Sequence, residues 1–151
     1  MGAMSDIEQA IEVLTEMARE RRSDQPLLAP FVGRYYRELP DDDIDDRSLD
    51  EAYAAAVTHF ELGRRRAGGE VVVRVRTPDL DRDGWAPHRS VLMFVSDDVP
   101  FLVDTVRMVL DRYGLGIDLL VHPMLPVQRD DDGEIIGFEE LAEGSAGLEA
   151  W

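Results

Sequence analysis

The sequence predicts an α+β chain: a helical N-terminal segment over residues 1–67, then an α/β unit over residues 68–151 with a helix packed on one face of its sheet. Three observations carry this. Before Gly68-Gly69 the apolar residues recur at helical spacing, and after it the period changes to two. Ser90–Ser96 holds a short continuous apolar run, which reads as a strand buried on both faces. That run feeds, through the turn Asp97-Asp98-Val99-Pro100-Phe101, a helix with one apolar stripe at Leu102, Val106, Val109, Leu110 and Tyr113. The acidic pair and the proline are start signals for this helix, and Gly114 is its stop.

The elements follow in order. Met1-Gly2-Ala3 before Met4 reads as a cloning remnant and is left out of fold reasoning. Asp6–Arg22 carries Ile7, Ala10, Ile11, Leu14, Met17 and Ala18 on one face, so it is a helix that must dock. Ser23-Asp24-Gln25-Pro26 breaks it. Leu27–Leu39 suggests a short helix starting near Pro30, with Tyr35 and Tyr36 on adjacent faces. Pro40–Asp46 reads as a solvated acidic loop, because nothing fixes its carboxylates against one another. Ser48-Leu49-Asp50-Glu51 has the spacing of a capping box. The helix after it carries Leu49, Ala52, Tyr53, Ala56, Val57 and Phe60 on one face and ends in Arg64-Arg65-Arg66, which suits its negative dipole end.

Beyond Gly69, Val71, Val73 and Val75 alternate with Val72, Arg74 and Arg76, as in a half-buried strand. A loop with Trp85 leads to the Ser90–Ser96 strand. Ile117–Gln128 reads as a long strand, at an edge or bulged because of Pro123 and Pro126. Asp130-Asp131-Asp132-Gly133 is a hairpin turn, and Glu134–Glu139 is the returning strand.

Composition narrows the chemistry. With 151 residues, 44% of them hydrophobic, the chain can bury a real core. It has no cysteine, hence no disulfide, thiolate metal site or cysteine nucleophile. Its net charge of −16 argues against nucleic acid and anionic membranes, both of which need cations to neutralise phosphates. All 16 basic residues are arginine, so a Schiff base or a phosphate-binding lysine is excluded within this chain. No apolar run approaches the ~20 residues a membrane span needs, and no signal-peptide pattern is present.

Candidate sites are few. Gln128, Asp130, Asp132, Gly133, Ile135 and Glu139 fall at calcium-loop spacing, but both flanks alternate like strands where an EF-hand needs helices. His59, His88 and His122 share no metal-ligand spacing and read as a helix-surface, a loop and a strand-face histidine. No catalytic constellation assembles, and no metal site is expected. The turn Asp97, Asp98, Val99, Pro100 and Phe101 is the best candidate for ligand binding. Backbone N–H groups at a helix start favour an anion such as an amino-acid carboxylate. Asp97 and Asp98 would repel that anion and read instead as helix caps, worth about 1 kcal/mol. Phe101 crowds the place where glycine would let a ligand approach.

The order of buried strand, Asp-x-Pro turn, helix, strand, hairpin and strand resembles an ACT-like (ferredoxin-like) regulatory domain. In that superfamily the ligand turn typically reads Asp-x-Pro-Gly, and here Asp98-Val99-Pro100-Phe101 replaces the glycine. A closer resemblance rests on Phe31–Tyr36, Gly84-Trp85, Asp97–Val106 and Val121-His122-Pro123. These are similar to the N-terminal region of the large bacterial NAD-specific glutamate dehydrogenases. The resemblance implies a cytoplasmic homo-oligomer whose dehydrogenase domain, with its NAD, lies elsewhere in a longer polypeptide. This region would then be a non-catalytic regulatory or assembly domain. It would bind no cofactor itself, contact the rest of the enzyme and other copies of itself, and take an amino-acid effector. The alternative is a purely structural oligomerisation module without a small-molecule ligand. The resemblance also implies an ACT-like unit incomplete at its C-terminus, with Leu148–Trp151 opening a further strand and Val71–Val75 covering one sheet edge.

Overall fold

The computed structural model of the chain describes residues 4–45, 48–138 and 147–151. Helix α1 (Asp6–Arg21) opens on a capping box that the sequence reading did not single out. Ser5 Oγ accepts from the Glu8 amide, and the Glu8 carboxylate accepts from the Ser5 amide. Helix α2 (Leu28–Tyr35) begins two residues before the expected Pro30. Pro30 is tolerated there because first-turn amides have no intrahelical acceptor. The expected acidic loop is instead the short helix α3 (Asp41–Asp45), with three aspartates in its first turn, where the helix dipole favours them. Asp41 also reaches back to accept the Ile7 amide at 3.2 Å, so one of these carboxylates helps cap α1. Asp46 lies outside the described residues.

Helix α4 (Leu49–Gly63) follows Ser48, whose backbone is extended as a cap requires but whose side chain accepts no hydrogen bond. The expected Ser48–Glu51 box is therefore not formed. Of the expected stripe Ala52, Tyr53, Ala56 and Phe60 are buried and Val57 is half-buried, while Leu49, at the helix start, is exposed; His59 is buried beside them.

Strand β1 (Val72–Arg76) leads through the short helix α5 (Leu80–Asp83) to strand β2 (Val91–Asp97), then helix α6 (Leu102–Arg112). Strands β3 (Met124–Arg129), β4 (Ile135–Phe138) and β5 (Leu148–Ala150) complete a sheet of order β1-β2-β5-β3-β4. Every pairing is antiparallel. Because β5 is antiparallel to both β2 and β3, those two strands run parallel, with α6 connecting them. This is the split β-α-β arrangement of a ferredoxin-like, ACT-like α+β fold. Leu148–Ala150 thus fills the middle of the sheet, and β1 covers the outer edge of β2.

The Ile117–Gln128 expectation is met only from Met124 onward. Strand β3 is internal: β5 pairs with Met124–Pro126 and β4 with Val127–Arg129, with a register shift at Gln128/Arg129. Pro126 is accommodated because pairing to β4 starts only after it. The calcium-loop match is a hairpin in which the Asp130 carboxylate accepts the Asp132 and Glu134 amides. Glu139, its last position, lies outside the described residues.

One hydrophobic cluster spans both sides of Gly68-Gly69. It takes Leu14 from α1, Phe31 and Val32 from α2, Ala56 and Phe60 from α4, Val95 from β2, Leu125 from β3, and Trp151. Trp151 is 1% exposed and packs its ring 4.9 Å from Phe31 and 5.5 Å from His59, centroid to centroid.

The face of β1 differs from the expectation. Cross-strand partners share a face, and Val72 and Arg74 lie opposite the buried Val95 and Met93. The core therefore takes Val72, while Val71, Val73 and Val75 are exposed on the other side.

Candidate functional site

The Asp97–Phe101 turn lies between the end of β2 and the start of α6. Asp97 and Asp98 do not cap α6, contrary to expectation. The cap position is Phe101, and no side chain caps the helix. The physical reason is that Asp97 is still in the sheet, paired with Glu149, and its carboxylate is already taken: Arg66 Nη2 donates to it at 2.7 Å. The Asp98 amide donates to the Leu148 carbonyl at 3.0 Å, which pins the turn to β5.

Phe101 adopts φ 61°, the left-handed conformation, and its residue is 77% exposed. This is the position where the Asp-x-Pro-Gly pattern has glycine. The backbone conformation that favours glycine is present without the glycine, at a cost of about 1–2 kcal/mol for a residue with a Cβ. Val99 is exposed beside it. The groove between α1 and α2 and the one beside Arg107 and Asp111 do not include the turn.

Beneath the turn lies a charge network that sequence reasoning missed. Arg66 is buried, not a solvated contribution to a helix dipole. Its Nη2 donates to Glu149 Oε1 at 2.8 Å as well as to Asp97. Arg129 grips the same Glu149 at both oxygens, Nε to Oε1 at 2.8 Å and Nη2 to Oε2 at 2.9 Å. Burial works against the Arg66 charge, but Glu149 and Asp97 outweigh it and raise its pKa. The backbone of the arginine run docks on the β3–β4 hairpin. Ile135 N–H donates to the Arg64 carbonyl and Arg66 N–H to that of Gly133, each at 3.0 Å. The run is thus a structural joint between α4 and the sheet. Its partners are 31 and 83 residues away, so no local pattern announces them.

His59 is the second missed position. Expected on a helix surface, it is buried between α2, α4 and β2. Its Nε2 lies 2.9 Å from the Phe94 carbonyl and its Nδ1 2.8 Å from the Tyr35 hydroxyl. The carbonyl can only accept, so Nε2 carries the proton and Tyr35 donates to Nδ1. Burial lowers the His59 pKa to about 4, against a raising effect from the Phe94 hydrogen bond. The same burial, with neighbouring Tyr36, raises that of Tyr35.

Helix α6 keeps its one-faced pattern but has no buried residue. Leu102, Val106 and Leu110 are half-buried. Met108, Val109 and Tyr113 are exposed, as are Val71, Val73, Val75 and Leu92 on the sheet. Among the described residues no group of three or more His, Cys, Asp or Glu side chains could hold a metal ion. No described helix is long and apolar enough to cross a membrane.

Comparisons with known proteins place this geometry. The family described as "Glutamate dehydrogenase, ACT1 domain" matches residues 31–151. The chain is similar to the NAD-specific glutamate dehydrogenase of Halomonas elongata, 32% identical over 68% of this chain and 6% of that protein. It is 31% identical to the Pseudomonas aeruginosa protein of the same name over 81% of this chain and 7% of that one. A third such protein, from Mycobacterium tuberculosis, is 36% identical over 62% of this chain and 6% of its own length. The chain thus spans about one fifteenth of the curated relatives it matches, the share of each being 6–7%. No solved structure matches.

Proposed function

The chain belongs to the glutamate dehydrogenase ACT1 domain family, and from that premise we propose that it is a non-catalytic assembly and regulatory domain of a larger NAD-dependent glutamate dehydrogenase. The parent enzyme would convert L-glutamate, NAD and water to 2-oxoglutarate, ammonium and NADH in the cytoplasm. The observation that carries this reading is the uncovered apolar surface of α6 and β1. A helix with one apolar stripe and no buried residue is a helix awaiting a partner. The partner is the rest of the parent polypeptide or another copy of this domain.

NAD does not fit the described residues. A dinucleotide site needs a glycine-rich turn at the end of a parallel strand so that backbone can approach the pyrophosphate. Here the strand-to-helix turn contains no glycine, its sheet pairings are antiparallel, and Phe101 stands at the helix start. The cofactor and the chemistry are therefore assigned to other parts of the parent.

In the regulatory half of this role, the turn Asp97–Phe101 is the place for an amino-acid effector. The second reading, assembly without any small-molecule ligand, is favoured by Phe101. Calorimetric titration with a panel of amino acids separates the two, since heat confined to the chain with an intact turn supports sensing.

The assembly role is tested in the parent enzyme carrying Val73→Glu, Val75→Glu and Met108→Glu. Sedimentation should show smaller particles or a looser shape, while circular dichroism of the isolated chain shows an unchanged fold. Unchanged sedimentation and turnover in the parent would remove the assembly role.

A further inference from the structure

A groove of about 780 Å³ runs between the end of α1, the loop after it and α2, far in sequence from the Asp97–Phe101 turn. Arg19, Arg22, Arg34 and Arg37 all line it, and no acidic residue does among the described residues. This is unexpected in a chain with 32 acidic and 16 basic side chains. Two of the four are already neutralised: Arg19 pairs with Glu16 at 2.9 Å and Arg22 with Glu61 at 3.1 Å. The other two have no ion pair among the described residues. Arg34 donates through Nη1 to the Pro30 carbonyl at 2.9 Å and stacks 5.7 Å from the Phe138 ring centroid. That leaves its remaining donors available. Arg37 is exposed, in the turn that follows α2.

We propose that this groove binds a small multivalent anion, one carrying two or more carboxylate or phosphate groups. Guanidinium forks hold planar or tetrahedral oxyanions through paired hydrogen bonds. The Arg34 head is held in place by the Pro30 carbonyl and the Phe138 ring, so less ordering entropy is lost on binding. The prealigned Arg34 and the exposed Arg37 set the site, and Arg19 and Arg22 supply the positive field at its other end. The proposal is independent of the role given to α6 and to the turn.

The test is titration calorimetry of the whole chain with inorganic pyrophosphate in one arm and propane-1,2,3-tricarboxylate in the other. Sodium chloride at matched ionic strength is the control. Saturable one-to-one binding in either arm is the expected result, and the tighter arm assigns phosphate or carboxylate. Arg34→Gln with Arg37→Gln should weaken it by at least about tenfold. Arg37→Gln alone, at an exposed position, should weaken it without touching the fold. No saturable heat in either arm, or equal binding by the double variant, would overturn the proposal.

Discussion

Arg66 donates from Nη2 to Glu149 Oε1 at 2.8 Å, with both residues 3% exposed. This pair joins the end of the last N-terminal helix to the central strand of the sheet. Removing Glu149 leaves Arg66 with Asp97 alone and strips Arg129 of the carboxylate it grips, at a cost of about 3–5 kcal/mol. Glu149→Ala should therefore lose that much stability in urea unfolding. Arg66→Met with Glu149→Met should recover part of the loss, because the buried Arg66 charge goes with its partner while Arg129 keeps its hydrogen bonds to the Gly63, Arg64 and Gly133 carbonyls. Additive losses in the double variant would contradict a coupled pair.

The buried His59 gives the chain a pH dependence. Its folded pKa, about 4, lies below the 6.5 of an unfolded histidine. The unfolded state thus binds more protons between these values, and stability falls as pH falls through that window. It is fully present above pH 6.5 and reduced by roughly 3 kcal/mol near pH 4. Urea midpoints at pH 7.5 and 4.5 should differ clearly for the natural chain and less for His59→Gln. Parallel drops would show that other groups carry the effect.

Much of the fold was legible because it is local. The stripes of α1 and α4, the Val91–Val95 strand and the Asp130–Gly133 turn are periodicities and turn chemistry within a dozen residues, although that strand buries only the face of Met93 and Val95 and leaves Leu92 exposed, not both faces as its apolar run suggested. The valine run shows the limit: alternation revealed a strand, but which face is buried was decided by α4 packing against β2, which local pattern does not encode. The support of the candidate turn was illegible for the same reason. Arg66, Glu149 and Arg129 meet only through the topology. His59 looked like a surface histidine because only the fold places Phe94 and Tyr35 at its two nitrogens.

Gly63 sits against the Trp151 ring, and a Cβ there would overlap ring atoms Cη2 and Cζ3 and approach Val95 Cγ2 to 2.8 Å. Helix propensity favours alanine over glycine by about 1 kcal/mol. Overpacking against a fixed aromatic costs about 1–3 kcal/mol, so the clash wins. Gly63→Ala should lower the thermal midpoint. Trp151→Ala should cost about 3–5 kcal/mol by leaving a cavity beside Phe31 and His59. A stabilised Gly63→Ala chain would show that the ring can move.

Phe101 carries backbone strain with little packing to offset it, being 77% exposed at φ 61°. Phe101→Gly should raise stability by about 1 kcal/mol, since glycine enters the left-handed region freely. A thermal midpoint that falls instead would show that the ring contributes packing at the turn.

The central claim is that α6 and β1 are covered in the assembled parent enzyme. Hydrogen–deuterium exchange measures this on the same amides in two states, the isolated 151-residue chain and the intact parent. The claim predicts that Val72–Arg76 and Leu102–Arg112 exchange more slowly in the parent, while the core helices α1 and α4 change little. Equal exchange of β1 and α6 in both states would contradict it.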